Sequence, residues 1–290
     1  MSAAIVLPAR MASTRLPNKL LLDRTGKTVL EHTLAQALAA LEASRGLITS
    51  IRVACDDEKL AAVARKAGVD AVLTDPALPS GTDRIAAALD GLKEDLIINV
   101  QADEPELNPE LIVQAAALLD SGPIDAEMST LAVPIYDKAL LDKPNVVKVV
   151  VDAQGRALYF SRAPIPFLRD PGSPPVWTRT TKDGQTRTVW GLHHVGLYGY
   201  KREFLLAYTK LPPSRLERIE KLEQLRAIEN GHTILVGLAE NHPPGIDTPE
   251  DYEAFVVRWD EFVKAAGNKS VDLQQFQSEW LDRGSTFYGH

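Results

Sequence analysis

The sequence predicts an α/β fold: a mostly parallel, Rossmann-like sheet with helices on both faces and a smaller antiparallel, β-rich insertion. Three observations carry this. From Ala3 to Leu119, short apolar runs alternate with segments whose apolar residues recur at helical spacing. One run, Leu96–Val100, is apolar at nearly every position, as in a strand buried on both faces. From Met128 to Phe160 the runs are strand-like and separated by turn signals such as Ala153-Gln154-Gly155.

Taken in order, Ala3–Leu7 is a β-rich opening strand and Val29–Leu41 a helix. Ile51–Cys55 is the second strand. Asp57–Ala67 is a helix stopped by Gly68, and Val72–Thr74 a short strand. A helix begins at Ile85–Leu89, the buried strand Leu96–Val100 follows, and Pro109–Leu119 is again helical. Met128–Val133, Val146–Val151 and Ala157–Phe160 are the strands of the insertion. Asp170–Trp190, with Pro, Gly, Thr and mixed charge, reads as a mobile loop. Leu216–Ile228 reads as one amphipathic helix ended by Asn230-Gly231, with Leu216, Ile219, Leu222 and Leu225 as its buried stripe. Ile234–Val236 is a strand, and Pro249–Ala265 a last helix capped by Asp247 or Thr248.

Composition narrows the class. The chain has 290 residues, 45% of them hydrophobic, enough for a sizeable core. Its net charge of -7 argues against a nucleic-acid binder, which would show a basic face. The single cysteine, Cys55, lies in a strand and reads as core, so no internal disulfide is expected. The apolar run Ala3–Leu7 is too short for a signal peptide, and no run approaches the ~18 residues of a membrane span. A soluble, cytoplasmic protein with no membrane partner is expected.

Ligand sites of open α/β sheets lie beyond the carboxyl ends of the strands, and two groups of polar residues sit there. After the first strand comes Pro8-Ala9-Arg10-Met11-Ala12-Ser13-Thr14-Arg15-Leu16-Pro17-Asn18-Lys19. It places three cations and two hydroxyls in ten residues. Such a loop suits phosphate oxygens, which need main-chain N–H groups, hydroxyls and fixed positive charge. The G-x-x-x-x-G-K spacing of a Walker loop is absent. After Leu96–Val100 comes Gln101-Ala102-Asp103-Glu104-Pro105, where Asp103 is either a turn cap or a carboxylate placed to hold Mg²⁺ against phosphate. Ser80-Gly81-Thr82-Asp83-Arg84 also suits a capped turn.

Together these segments resemble the signature of the 3-deoxy-manno-octulosonate (Kdo) cytidylyltransferases. The first loop matches P-A-R-x-x-S-x-R-L-P-x-K-x-L at every fixed position through Leu21, whereas the Gly-Gly loops of other sugar nucleotidyltransferases are absent. Ser80–Arg84 resembles S-G-T-[DE]-R. Asn99–Pro105 resembles N-V-Q-G-D-E-P, with Ala102 in place of Gly, which predicts a retained site with some strain or altered tightness. Pro144–Val150 and Ala157–Arg162 match further segments. His194–Tyr200 resembles H-[LV]-G-[IL]-Y-G-Y, preceded by His193 where the family usually has Arg. Leu216–Arg226 resembles L-E-x-x-E-x-L-E-Q-L-R, and Gly245–Asp251 resembles G-[VI]-D-T-P-E-D. The likeness runs in order from about residue 3 to 257.

The resemblance implies transfer of CMP from CTP to Kdo, for lipopolysaccharide synthesis. It implies catalysis by Arg10, Lys19, Asp103 and Asp247, and nucleotide binding by Pro8, Ala9, Arg10, Ser13, Arg15, Lys19, Ser80, Gly81, Thr82, Arg84 and Gln101. Gln101, Arg162, His194, Tyr198, Glu223 and Gln224 would hold the sugar, with Arg162 clamping its carboxylate. Asp103 and Asp247 would hold Mg²⁺. Lys148 reads as a strand-surface lysine. One nucleotidyltransferase domain is expected over 1–262, with about 128–215 forming the sugar-binding region and a homodimer contact, and 263–290 a C-terminal extension. The alternatives are a cytidylyl- or uridylyltransferase for a related acidic sugar such as 8-amino-Kdo, or a non-catalytic relative.

Overall fold

The structure, a computed structural model, describes residues 1–170, 177–181 and 184–266. The expected extension 263–290 lies outside the described residues from 267 onward, as do parts of the expected loop 170–190. Among the described residues no helix is long and apolar enough to cross a membrane. The chain divides into two compact units, one of residues 1–113 with 243 onward, the other of residues 114–242.

The first unit is built on a parallel sheet. Strand β1 (Ala3–Ala9) is followed by helix α1 (Val29–Ala43), β2 (Ile48–Cys55), α2 (Glu58–Lys66), β3 (Asp70–Leu73), α3 (Gly81–Ala87), β4 (Leu96–Asn99) and the start of α4 (Pro109–Asp120). β1 lies between β2 and β4, with β3 outside β2, and every pairing is parallel. All four residues of β4 are buried, as its continuous apolar run requires. Side chains start the helices: Thr28 and Glu31 form a capping box on α1, Asp57 caps α2 and Ser80 caps α3. The Ser80 cap starts α3 four residues earlier than its apolar pattern suggested, because Gly81-Thr82-Asp83 carry no hydrophobic signal. Gly68 ends α2 at φ 76°, a left-handed position that favours glycine.

The last helix, α9 (Pro249–Ala266), buries Tyr252, Phe255, Trp259 and Phe262. His32 is fully buried against this helix, edge-on to Phe255 and Trp259, with Nε2 hydrogen-bonded to Thr25 Oγ1 at 2.7 Å. Burial, then the nearby Lys27 charge, pulls its pKa from 6.5 to about 4. The folded pKa is the depressed one, so this contribution to stability is present above about pH 6.5 and is lost as pH falls towards 4. The loss is on the order of 3 kcal/mol at most. Thermal melts should therefore show a smaller fall in Tm between about pH 7 and pH 5 for His32→Leu than for the wild type. Equal falls would show that His32 does not carry the acid sensitivity.

In the second unit, β5 (Ala126–Ile135) runs antiparallel to β10 (Gly191–Lys201), and β11 (Thr233–Leu238) runs parallel to β5. β6 (Lys148–Val151) pairs antiparallel with β10 and with β7 (Ala157–Ser161). A register shift between Val195 and Tyr198 bends β10 in the middle. Helices α5 (Lys138–Leu141), α6 (Arg202–Tyr208), α7 (Arg215–Glu220) and α8 (Leu225–Glu229) complete the unit.

Three expectations are corrected here. Within Asp170–Trp190, β8 (Thr178–Thr180) and β9 (Thr186–Thr188) form an antiparallel ribbon in place of an irregular loop, closed by Gly184 at φ 79°. The single helix over 216–228 is two helices, broken at Lys221, whose φ of 54° is left-handed. The buried stripe fails with it: Leu222 and Leu225 are buried but Ile219 is 70% exposed. Lys148 is not a surface lysine. It is fully buried, and its ammonium donates to the carbonyls of Lys143, Val146 and Arg162 at 3.0, 2.6 and 2.6 Å. Burial holds its pKa below the usual lysine value.

Candidate active site

The loop after β1 is shaped by what it buries. Ala9 is fully buried, Arg10 is exposed, and Leu16 and Leu20 turn inward as anchors. Between those leucines, Asn18 takes the left-handed conformation (φ 55°) that asparagine tolerates, and a 3₁₀ turn follows over Lys19–Leu21. This aims Lys19 at two acids. Its ammonium donates to Asp103 Oδ2, to the carbonyl of Ile246 at 2.9 Å and to Asp247 Oδ1 at 3.1 Å, so all three of its N–H groups are directed. Arg15 pairs with the other Asp247 oxygen at 3.0 Å. Arg10 has no ion-pair partner among the described residues and remains available for an anion.

Asp103 is held from behind. Thr33 Oγ1 donates to the carbonyl of Ala102 at 2.9 Å, Gln36 Nε2 to that of Pro105 at 3.1 Å, and the Ile246 N–H to the carbonyl of Asp103 at 2.9 Å. Ala102 is buried and is not among the residues with positive φ, so the strain expected from Ala in place of Gly is absent. Thr248 caps α9, accepting from the Asp251 N–H at 3.2 Å while Asp251 accepts from the Thr248 N–H at 2.8 Å. The capping role therefore falls to Thr248, and the Asp247 carboxylate is left to Lys19 and Arg15. Gln101 Nε2 donates to Asn99 Oδ1 at 3.0 Å.

Glu104 went unnoticed in the sequence. It is buried, and burial, then the charges of Asp103 and Asp247, push its pKa up to about 8. Burial and its two acidic neighbours thus favour the protonated form of its carboxyl group. The only sequence signal was its place between Asp103 and Pro105.

Ser80–Arg84 acts from beneath the loop. Ser80 Oγ accepts from the Asp83 N–H at 3.1 Å, and Gly81 lies so close to Pro8 that an added Cβ would sit 3.4 Å from its Cγ. Thr82 and Arg84 are both 4% exposed. The Arg84 guanidinium donates to Thr74 Oγ1 at 2.5 Å and pairs with Asp56 at 3.5 Å. Arg84 is therefore engaged inside the protein.

The second unit gathers the other candidates. Arg162 spends its guanidinium on main-chain carbonyls: Glu220 at 2.8 Å, Pro144 at 3.1 Å and Lys221 at 3.4 Å. That ties it to the helix break, with two of its five N–H donors left over. Glu220 accepts from Ser161 Oγ at 2.6 Å and from the Arg162 N–H at 3.0 Å. His194 is buried, hydrogen-bonded to Thr130 Oγ1 at 3.0 Å and ringed by Phe160 and Tyr198. Burial, then His193 and His242, lower its pKa to about 3, so it is a neutral hydrogen-bonding group. Gln224 is 4% exposed, and its Nε2 has no partner among the described residues. An orphaned buried donor is costly unless a ligand satisfies it. Glu223 precedes it, and its carbonyl accepts from Tyr208 Oη at 2.6 Å.

These features agree with comparisons to known proteins. A family model described as cytidylyltransferase matches residues 3–234. The 3-deoxy-manno-octulosonate cytidylyltransferase of Rhodopirellula baltica is 46% identical over 259 residues, 89% of this chain and 98% of that protein. The 8-amino-3,8-dideoxy-manno-octulosonate cytidylyltransferase of Shewanella woodyi is 42% identical over 254 residues, 87% of this chain and 96% of that protein. The solved structure of a CMP:2-keto-3-deoxy-manno-octonic acid synthetase complexed with CTP is similar with a TM-score of 0.78 at 33% identity, covering 90% of this chain and 99% of the other. The chain is thus a nucleotidyltransferase enzyme, and it belongs to the 3-deoxy-manno-octulosonate cytidylyltransferase family of cytidylyltransferases.

Proposed function

We propose that this chain transfers CMP from CTP to the anomeric hydroxyl of Kdo, releasing pyrophosphate. The observation that carries the reading is the convergence of Lys19, Asp103 and Asp247 beside the cationic loop that follows β1. Arg10, Lys19 and Arg15 supply positive charge to the triphosphate, with the Ser13 hydroxyl and the main chain of Pro8 and Ala9 alongside. Ser80, Gly81 and Thr82 shape the floor of that loop. Gln101, Arg162, His194, Tyr198, Glu223 and Gln224 are the candidates for holding the sugar acid, and the unsatisfied Gln224 Nε2 is the clearest invitation to a ligand oxygen.

Two carboxylates and a carbonyl directed at one cation are hard oxygen donors of the kind Mg²⁺ takes. Among the described residues no group of three or more His, Cys, Asp or Glu is placed to hold a metal. Asp103 and Asp247 are the side chains that would hold the ion. When bound there, Mg²⁺ screens the phosphate charge and makes the attacking hydroxyl more acidic. The protein's own share is positioning and charge: Lys19 and Arg10 meet the negative charge carried by the α-phosphate oxygens and the departing pyrophosphate as the hydroxyl attacks in line. We further propose a cytoplasmic homodimer that serves lipopolysaccharide synthesis.

Pyrophosphate release measured with CTP and UTP, each against Kdo and its 8-amino analogue, tests the reading. Turnover is expected with CTP and Kdo. The Shewanella relative makes the amino sugar the informative second arm. No turnover with any combination would favour a non-catalytic protein.

A further inference from the structure

Two adjacent aspartates, Asp56 and Asp57, follow β2. The structure separates them. Asp57 caps α2, accepting from the Lys59 N–H at 2.7 Å. Asp56 turns the other way, its side chain only 10% exposed, and accepts from the Met11 N–H at 2.9 Å. That N–H is the first main-chain donor after Arg10. Fixing it fixes the peptide plane that joins Arg10 to the rest of the loop.

Asp56 is itself held. Its second oxygen faces Arg84 at 3.5 Å, and Arg84 is kept in place by Thr74 Oγ1. Thr74 in turn ties back to the Cys55 carbonyl through its N–H at 2.8 Å and its hydroxyl at 3.0 Å. A chain of ion-pair and hydrogen-bond contacts thus runs from Arg84 through Asp56 to the Met11 N–H of the loop after β1.

We infer that Asp56 is a positioning residue: through the Met11 N–H it sets the loop that presents Arg10 to the triphosphate, with Arg84 as its buried ionic partner. The inference rests on the proposed function for its catalytic consequence. Its structural half, the hold on the Met11 N–H, stands apart from that function and is tested separately.

Two variants separate positioning from mere stability. Asp56→Ala removes both the acceptor for the Met11 N–H and the partner of Arg84. Asp56→Asn keeps an amide oxygen for the Met11 N–H but loses the ion pair. Both are expected to lower Tm. Only Asp56→Ala should lower kcat/KM for CTP, by roughly tenfold to a hundredfold, the scale of a misplaced binding group, while Asp56→Asn stays within about threefold of wild type and the KM for the sugar acid is unmoved in both. Hydrogen exchange of the Met11 amide supplies a readout independent of turnover. It should be slow in wild type and Asp56→Asn and fast in Asp56→Ala. Loss of wild-type turnover with every substrate would sink the proposed function but leave the exchange result to judge Asp56. Equal damage in both variants, or a slow Met11 amide in Asp56→Ala, overturns the inference.

Discussion

Replacing Asp103 by asparagine is expected to lower kcat for CMP transfer by at least about a thousandfold, the upper range for a single charge-stabilising group, with the fold retained. The carboxylate stands at the carboxyl end of β4, where its oxygen meets the Lys19 ammonium. The surrounding main chain is held by Thr33, Gln36 and Ile246 and not by the carboxylate itself, so the variant should fold. Only the charge is lost. With it go the fixed partner of Lys19 and one of the two candidate ligands for Mg²⁺. Steady-state turnover at saturating CTP, beside a thermal melt, decides the matter. A variant that melts like wild type and keeps more than about a tenth of its kcat would remove Asp103 from the chemistry.

Lys19→Ala should cost kcat about two to three orders of magnitude, with a smaller change in the KM for CTP. Composition alone could not rank Lys19 above Arg10, since both are cations of one loop. The structure does. Lys19 opens a 3₁₀ turn set by Pro17 and the left-handed Asn18, and its ammonium is directed by three oxygens. A group already ordered has less reorganisation left to undergo as charge develops. Arg10, exposed and unpaired among the described residues, is suited to ground-state phosphates as well, so Arg10→Ala should damage kcat and KM together. Lys19→Arg is expected to rescue little, because a planar fork cannot take the place of a compact ammonium among three converging oxygens. A Lys19→Ala enzyme with intact kcat and a raised KM would make Lys19 a uniform binding residue.

The parallel sheet was legible because its central strands β1 and β4 are buried on both faces and therefore apolar almost throughout, and the nucleotide loop was legible because its motif is long and ordered. What stayed hidden depends on partners distant in sequence. Lys148 has the composition of a surface lysine, and nothing near it announces the three carbonyls that surround its ammonium. Leu216–Leu225 keeps apolar residues three apart across a left-handed Lys221, so the periodicity could not reveal the break. The ribbon over 178–188 has strands of three residues each, too short for alternation to stand out. Asp56 belongs to no motif, and only the fold shows that it faces the loop while Asp57 caps α2.

The bond between Lys19 and Asp247 joins residues 228 positions apart in the chain. The loop that carries the cation precedes the whole second unit in sequence, and the acid and carbonyl that complete its surroundings follow that unit. A nascent chain ending before Gly245 holds the phosphate-binding loop, the strands behind it and Asp103, yet lacks Ile246 and Asp247. Two of the three oxygens that direct the Lys19 ammonium are thereby supplied from beyond the second unit's stretch of sequence, and a chain cut ahead of Gly245 leaves that ammonium with Asp103 alone.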